Sequence, residues 1–158
     1  AIVKIELPAT FRLPADKIAL YSTPGNYWPS CQPNECSATG PTQMTIGFDN
    51  QGSPTCSSCC WQGRCLNSCV NQWRVYGNAV NTFTGEGHQP HPCNIRDNIF
   101  AAAAKLKNDS GASNPISWSK EEVFRAGKRY YGDCTVTFKR IGNRTYCQFV
   151  WDYYQNRL

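Results

Sequence analysis

Apolar positions recur at helical spacing toward the two ends of this chain, while proline, glycine, serine and asparagine interrupt any such spacing in its middle. The clearest run is NIRDNIFAAAAKLKNDSG, Asn94 to Gly111. Asn94 stands where an N-cap is needed, with Asp97 three residues on. Ile95, Ile99, Ala102, Ala103 and Leu106 fall on one predicted inward face, and Asn108 to Gly111 supplies the stop. The run WSKEEVFRAGKRYYG repeats the logic. Ser119 and Glu122 form a capping box, Val123, Phe124, Ala126, Gly127 and Tyr130 make the inward stripe, and Gly132 ends the helix. A last helix is predicted from about Thr145 to Tyr154, burying Tyr146, Phe149, Val150 and Tyr153.

The opening AIVKIE is apolar and helix-periodic but has no N-cap, so it reads as the second half of a helix that begins upstream. The sequence is therefore expected to be a piece of a longer protein. In LPATFRLPADKIALYSTPGNYWPSCQPNEC the prolines break any long helix and leave one turn around Asp16 to Tyr21. Asn71 to Tyr76 predicts a short helix. GNAVNTFTGEGHQPHPC reads as a loop, with two glycines framing a solvent-facing Glu86. No alternating run is long enough for a proper sheet and no repeat is present, so the fold class is mainly α, in a single domain over residues 1–158.

The chain has 158 residues, of which 41% are hydrophobic and 17% charged, which suits one globular domain and excludes disorder. A net charge of +5 favours an anionic partner such as a nucleic acid, an acidic glycan or a membrane surface, although Lys and Arg are scattered along the sequence. No apolar run approaches the roughly 20 residues of a membrane span.

Cysteine changes the picture most. Cys31, Cys36, Cys56, Cys59, Cys60, Cys65, Cys69, Cys93, Cys134 and Cys147 are even in number, and seven of them crowd between Cys31 and Cys69. The crowding marks a stapled insertion at about residues 50–69, with sulfur and Trp61 as its small core. A zinc reading would start from Cys56, Cys59, Cys60, Cys65 and Cys69 with His88 and His91 as further ligands, but two separated ligand pairs are missing. Disulfides formed outside a reducing cytosol are the stronger reading, with no metal. Cys134 with Cys147, closing a short loop between two helices, is the single pairing expected.

Nucleophile and phosphate motifs are missing: there is no GxSxG, HExxH or GxxxxGK. The remaining toolkit of carboxylates, amides and aromatics suits sugar chemistry. Glu6 closes an apolar segment in which Ile2, Val3 and Ile5 would raise its pKa, as a general acid requires. Glu35 belongs on an exposed loop. In GPTQM, Gly40 to Met44, a tight Gly-Pro start precedes a glutamine whose amide can both donate and accept.

AIVKIE, GPTQM, NIRDNIFAAAAKL and AGKRYYG occur in an order that resembles the lysozyme-like lytic transglycosylases, relatives of goose-type lysozyme. The resemblance implies a lysozyme-like domain carrying a disulfide-rich loop insertion. It makes Glu6 the catalytic acid and matches Gly40 and Gln43 to the family's GxxQ element, with Gln43 and Met44 lining the glycan cleft. Asn98-Ile99, or Asn94-Ile95, would pack behind that cleft, and Ala126, Tyr130, Tyr131 and Gly132 match the last element, with Tyr130 near the acid. The chain departs from the family at Leu7, where Ser is usual, at Tyr131, where Asn is usual, and in a longer gap between Glu6 and Gln43.

The activity implied is cleavage of peptidoglycan between N-acetylmuramic acid and N-acetylglucosamine by one carboxyl group, leaving 1,6-anhydro ends, with no cofactor and no nucleic acid. Asp49 in GFDNQG is the carboxylate that would turn the outcome to hydrolysis. The expected location is extracytoplasmic, and further partners would be other domains of the precursor or a cell-surface assembly. Two other classes fit the same residues: a non-catalytic glycan-binding or structural module of lysozyme-like shape, and a disulfide-rich secreted effector or inhibitor acting through the Cys31 to Cys69 region.

Overall fold

The structure is a computed structural model that describes Glu6 and residues 13–61, 63–114 and 116–156, with Trp61 described in its backbone alone. Most of the expected AIVKIE helix and the Trp61 side chain lie outside the described residues; Glu6 itself is helical. The described chain is mainly helical, with three two-stranded antiparallel sheets. It forms two compact units, one over Glu6–Ala102 and the other over Ala103–Leu158.

In the first unit, helix α1 (Ala15–Ser22) runs two turns where one was predicted. Two prolines set its limits. Pro14 occupies the N-cap with extended backbone, and Thr23, which precedes Pro24, leaves the helical region at ψ 136°. The chain then reaches a short hairpin, β1 (Ala38–Thr39) with β2 (Met44–Thr45), paired as Ala38↔Thr45 and Thr39↔Met44. Buried Ser37 holds the base of this hairpin, its Oγ accepting the N–H groups of Ile46 (2.8 Å), Gly47 (2.6 Å) and Phe48 (3.1 Å).

The cysteine-rich segment is stapled internally by Cys56–Cys69 and Cys60–Cys65, the latter spanning the hairpin β3 (Cys60–Trp61) and β4 (Arg64–Cys65). Cys36–Cys59 ties it back to the loop before β1, and Cys31–Cys93 joins chain regions 62 residues apart. With Cys134–Cys147 in the second unit, as the sequence predicts, all ten cysteines are paired. No thiolate is left for the zinc reading, and five disulfides mark a protein of an oxidising compartment.

Helix α2 (Trp73–Tyr76) falls inside the predicted 71–76 segment. The loop expected after it is corrected at its start, where α3 (Ala79–Thr84) forms, buries Val80 completely and ends at left-handed Gly85. A single buried valine is too little periodicity for sequence inspection to register. Helix α4 (Ile95–Ser110) starts as predicted, Asn94 Oδ1 accepting the Asp97 N–H at 3.0 Å.

The inward face of α4 is the predicted one only in part, with Ala102 buried and Leu106 against the core. Ile99 is 42% exposed and Ala103 is exposed, whereas Asn94, Asp97, Asn98, Ala101, Ala102, Lys105 and Asp109 are buried. Polar groups go inside when each finds a partner, and here they do. Lys105 donates to Asp109, Asp97 accepts from two histidine-bearing positions, and Asn98 is bonded through both ends of its amide.

The second unit is built on α5 (Lys120–Tyr131) and α6 (Tyr146–Gln155), which pack together and each begin with a complete capping box, Ser119/Glu122 and Thr145/Gln148. Gly127 permits the close approach, since a Cβ there would lie 3.1 Å from Cys147 Sγ. Between them run β5 (Thr137–Phe138), a 3-10 turn over Lys139–Ile141, and β6 (Arg144–Thr145). The core centres on Ile141, Tyr146 and Phe149, with Leu106, Tyr130, Tyr131 and Phe138 against it. Cationic residues are scattered along the sequence but divided unequally: residues 103–158 hold ten Lys and Arg against five acids, and residues 6–102 hold five against six.

Candidate functional site

The tip of the β1–β2 hairpin is the most constrained polar feature among the predicted site residues. Gly40 has φ +74°, and a Cβ placed on it would meet Asn98 Nδ2 and Pro92 O at 2.5 Å, so no other residue fits this approach. Asn98 acts as the hub beneath it. Its Oδ1 accepts the Thr42 N–H (2.8 Å) and the Thr42 hydroxyl (2.6 Å), while its Nδ2 donates to Pro92 O (2.9 Å) and Thr39 O (3.3 Å). Asn98 and Thr42 are both almost wholly buried.

Gln43 follows in the left-handed region at φ +56°, where a side chain other than glycine is uncommon. Its backbone N–H closes a turn on Gly40 O at 3.1 Å. Its Nε2 donates to Gly40 O at 2.9 Å, and its Oε1 accepts from Asn34 Nδ2 at 3.3 Å. Those two bonds use one donor and one acceptor of the half-buried amide, so among the described residues one N–H and one lone pair remain for a ligand. Met44, the next residue, is fully buried in β2, so its side chain supports the hairpin from inside rather than facing a cleft.

Glu6 is helical, half-buried and part of the same compact unit as Gln43. Its expected apolar surroundings, Ile2, Val3 and Ile5, lie outside the described residues, as does Leu7. Tyr130 and Tyr131 belong to the second unit. Tyr131 stacks on Tyr146 (ring centroids 4.7 Å apart) and meets Phe138 edge-on at 5.5 Å, which is core packing. Tyr130 packs on the same core and carries the Lys105 ammonium 5.2 Å from its ring centroid.

The carboxylates weighed against Glu6 have structural partners or open exposure. Asp49 Oδ1 accepts the N–H groups of Gln51 (2.9 Å) and Ser53 (2.8 Å), holding the turn that follows the hairpin. Glu35 is exposed, and Glu86 pairs with Arg96 instead of simply facing solvent.

His88 and His91, read from sequence as loop residues, converge on one buried carboxylate. Asp97 Oδ1 lies 2.8 Å from His88 Nε2, and its Oδ2 accepts the His91 backbone N–H at 3.0 Å. His91 Nδ1 accepts the Cys93 N–H at 3.1 Å, placing the ring proton on Nε2. Burial pushes the His91 pKa below its ordinary value, with Asp97 pulling more weakly the other way.

Sequence reasoning placed Asn98 behind the cleft but missed that it carries the GPTQM loop. Asn34 and Asp97 were missed as partners, since no sequence pattern announces a loop hydrogen bond to a residue six or nine positions away. Comparison of this chain with protein-family models, with curated proteins and with solved structures finds no match.

Proposed function

We propose that this protein is a peptidoglycan-cleaving lytic transglycosylase of lysozyme-like fold in which Glu6 is the only catalytic carboxyl group. In this reading Glu6 donates its proton to the oxygen linking N-acetylmuramic acid to N-acetylglucosamine. The resulting carboxylate then takes the proton of the muramoyl C6 hydroxyl, whose oxygen attacks C1 and closes the 1,6-anhydro ring. The glycosidic bond breaks, the C6 oxygen to C1 bond forms, and the acid is regenerated without water. Gln43 lines the glycan cleft from the hairpin tip.

The observation that supports this reading most is the pinned Gln43 loop. A glutamine held in a left-handed conformation, over a buried asparagine that fixes the loop backbone, with half of its amide capacity open, is built for a polar ligand. Asp49 is tied to its own turn, which favours anhydro-ring closure over hydrolysis. The excess of Lys and Arg in residues 103–158 suits attraction to the anionic groups of a cell wall.

The experiment is digestion of purified peptidoglycan with the wild type and Glu6→Gln, read by mass spectrometry of the released fragments. Anhydro ends from the wild type and none from the variant are expected. Equal lysis by both proteins would overturn Glu6 as the acid. Binding of the glycan without release by either would favour the non-catalytic module, and reducing ends would favour a hydrolase.

A further inference from the structure

Beside the base of the β1–β2 hairpin lies a cavity of about 280 Å³ that belongs to none of the residues discussed as catalytic. It is lined by Tyr27, Trp28, Gln32 and His91, by prolines including Pro92, and by the bridged Cys31 and Cys93. None of its described lining residues is Lys, Arg, Asp or Glu. A phosphate or carboxylate ligand would therefore find no counter-charge in it, and the ligand it suits is neutral.

The pocket is rigid before anything enters it. The Trp28 N–H donates to Cys93 O at 3.1 Å, and Asn94 Nδ2 donates to Thr23 O (2.8 Å) and Asn26 O (2.6 Å). With the Cys31–Cys93 bridge, these bonds lock segment 23–31 onto segment 91–94. Tyr27 is 51% exposed yet stacks on His91, ring centroids 4.1 Å apart and planes 22° from parallel. An aromatic face held in place while open to water is available to a ligand rather than to the core.

We infer that the Tyr27–Trp28–His91 pocket is a binding subsite for one neutral N-acetylhexosamine ring. The C–H face of a pyranose lies well against an aromatic ring, whose face is electron-rich. At its edge, the Gln32 amide can both donate and accept, and the His91 Nε2–H donates, which matches hydroxyl and acetamido groups. The volume is at the small end of the roughly 300–1,000 Å³ typical of ligand pockets, room for one ring and not for an oligosaccharide. Ile46 at the pocket wall is three residues along the chain from Gln43, a span of at most about 10 Å. A glycan strand held by Gln43 would thus reach the pocket, so this inference rests on the function proposed above for its place on the substrate.

The test uses tri-N-acetylchitotriose as probe and maltotriose as control, with the full chain observed by amide and indole NMR. Saturable shifts at Tyr27, Trp28 and His91 with the first sugar only are expected. Tyr27→Ala should weaken that binding about tenfold or more, and Gln32→Ala, on an exposed side chain, about threefold, each with unchanged melting temperature. Shifts confined to other residues, or undiminished binding by both variants, would overturn the subsite. Glu6→Gln separates the two proposals, since it should abolish cleavage and leave this binding at the wild-type level. A wild type that binds but does not cleave would sink the enzyme and leave the subsite standing.

Discussion

Asn98 Oδ1 receives both the backbone N–H and the hydroxyl of Thr42, at 2.8 and 2.6 Å, across 56 residues of sequence. One amide thus fixes the conformation of the loop that presents Gln43, because Asn98 also satisfies Pro92 O and Thr39 O from its other end.

Replacing Asn98 with Leu removes this hub and strands several buried backbone groups. A buried polar group without a partner costs about 1–3 kcal/mol. Asn98→Leu is therefore expected to destabilise the protein by about 3 kcal/mol, and Thr42→Val, which loses only the hydroxyl bond, by about 1 kcal/mol. Urea unfolding measures both. Equal losses would show that the hydroxyl bond, not the rest of the hub, carries the energy.

Gln43 separates stability from function. At φ +56° a residue with a Cβ carries a conformational cost of roughly 1–2 kcal/mol that glycine does not. Gln43→Gly relieves that strain while losing the bonds to Gly40 and Asn34, which are worth about 1 kcal/mol together at a half-exposed site. The expected result is a melting temperature within a few degrees of wild type, or above it, with glycan turnover reduced about tenfold or more. A large fall in melting temperature would make Gln43 a structural residue instead.

These two residues also show how far a sequence can be read. The starts of α4, α5 and α6 are legible because capping is local: Asn94, the Ser119/Glu122 box and the Thr145 cap lie within three residues of what they bond. The polar part of the inward face of α4 is not legible, because Asn98 and Asp97 are buried only by virtue of Thr42, Pro92, His88 and His91, which the fold delivers. Ile99 reads as core by its helical spacing and ends up 42% exposed for the same reason. Met44 reads as a cleft residue through its neighbour Gln43, yet at the start of β2 its side chain is fully buried.

The five disulfides are expected to differ in weight according to the loop each closes. Chain-entropy arguments assign about 4 kcal/mol to a bridge spanning 62 residues, as Cys31–Cys93 does, and about 2 kcal/mol to one spanning 5, as Cys60–Cys65 does. The double variant Cys31→Ala/Cys93→Ala should therefore lose more stability, and it also removes a disulfide that lines the Tyr27–Trp28–His91 pocket. Cys60→Ala/Cys65→Ala, on an exposed hairpin, should lose less. Comparing melting temperatures of the two double variants under oxidising conditions checks this, and the reverse order would contradict it.

His91 gives the protein a pH dependence of defined sign. Its folded pKa lies below the ordinary value of 6.5, because burial penalises the imidazolium more than Asp97 rewards it. Between the folded pKa and 6.5 the unfolded chain binds more protons at this position than the native one, so stability rises with pH across that window. The contribution is complete above about pH 6.5 and is lost as the pH falls through the folded value. Titrating His91 by NMR in the native state, alongside urea midpoints from pH 7.5 to 5, should show a depressed midpoint and a parallel decline in stability. His91→Gln keeps an acceptor near the Cys93 N–H but cannot be protonated, so its urea midpoints should decline less over the same range. A decline as steep as wild type would assign the pH dependence to another group.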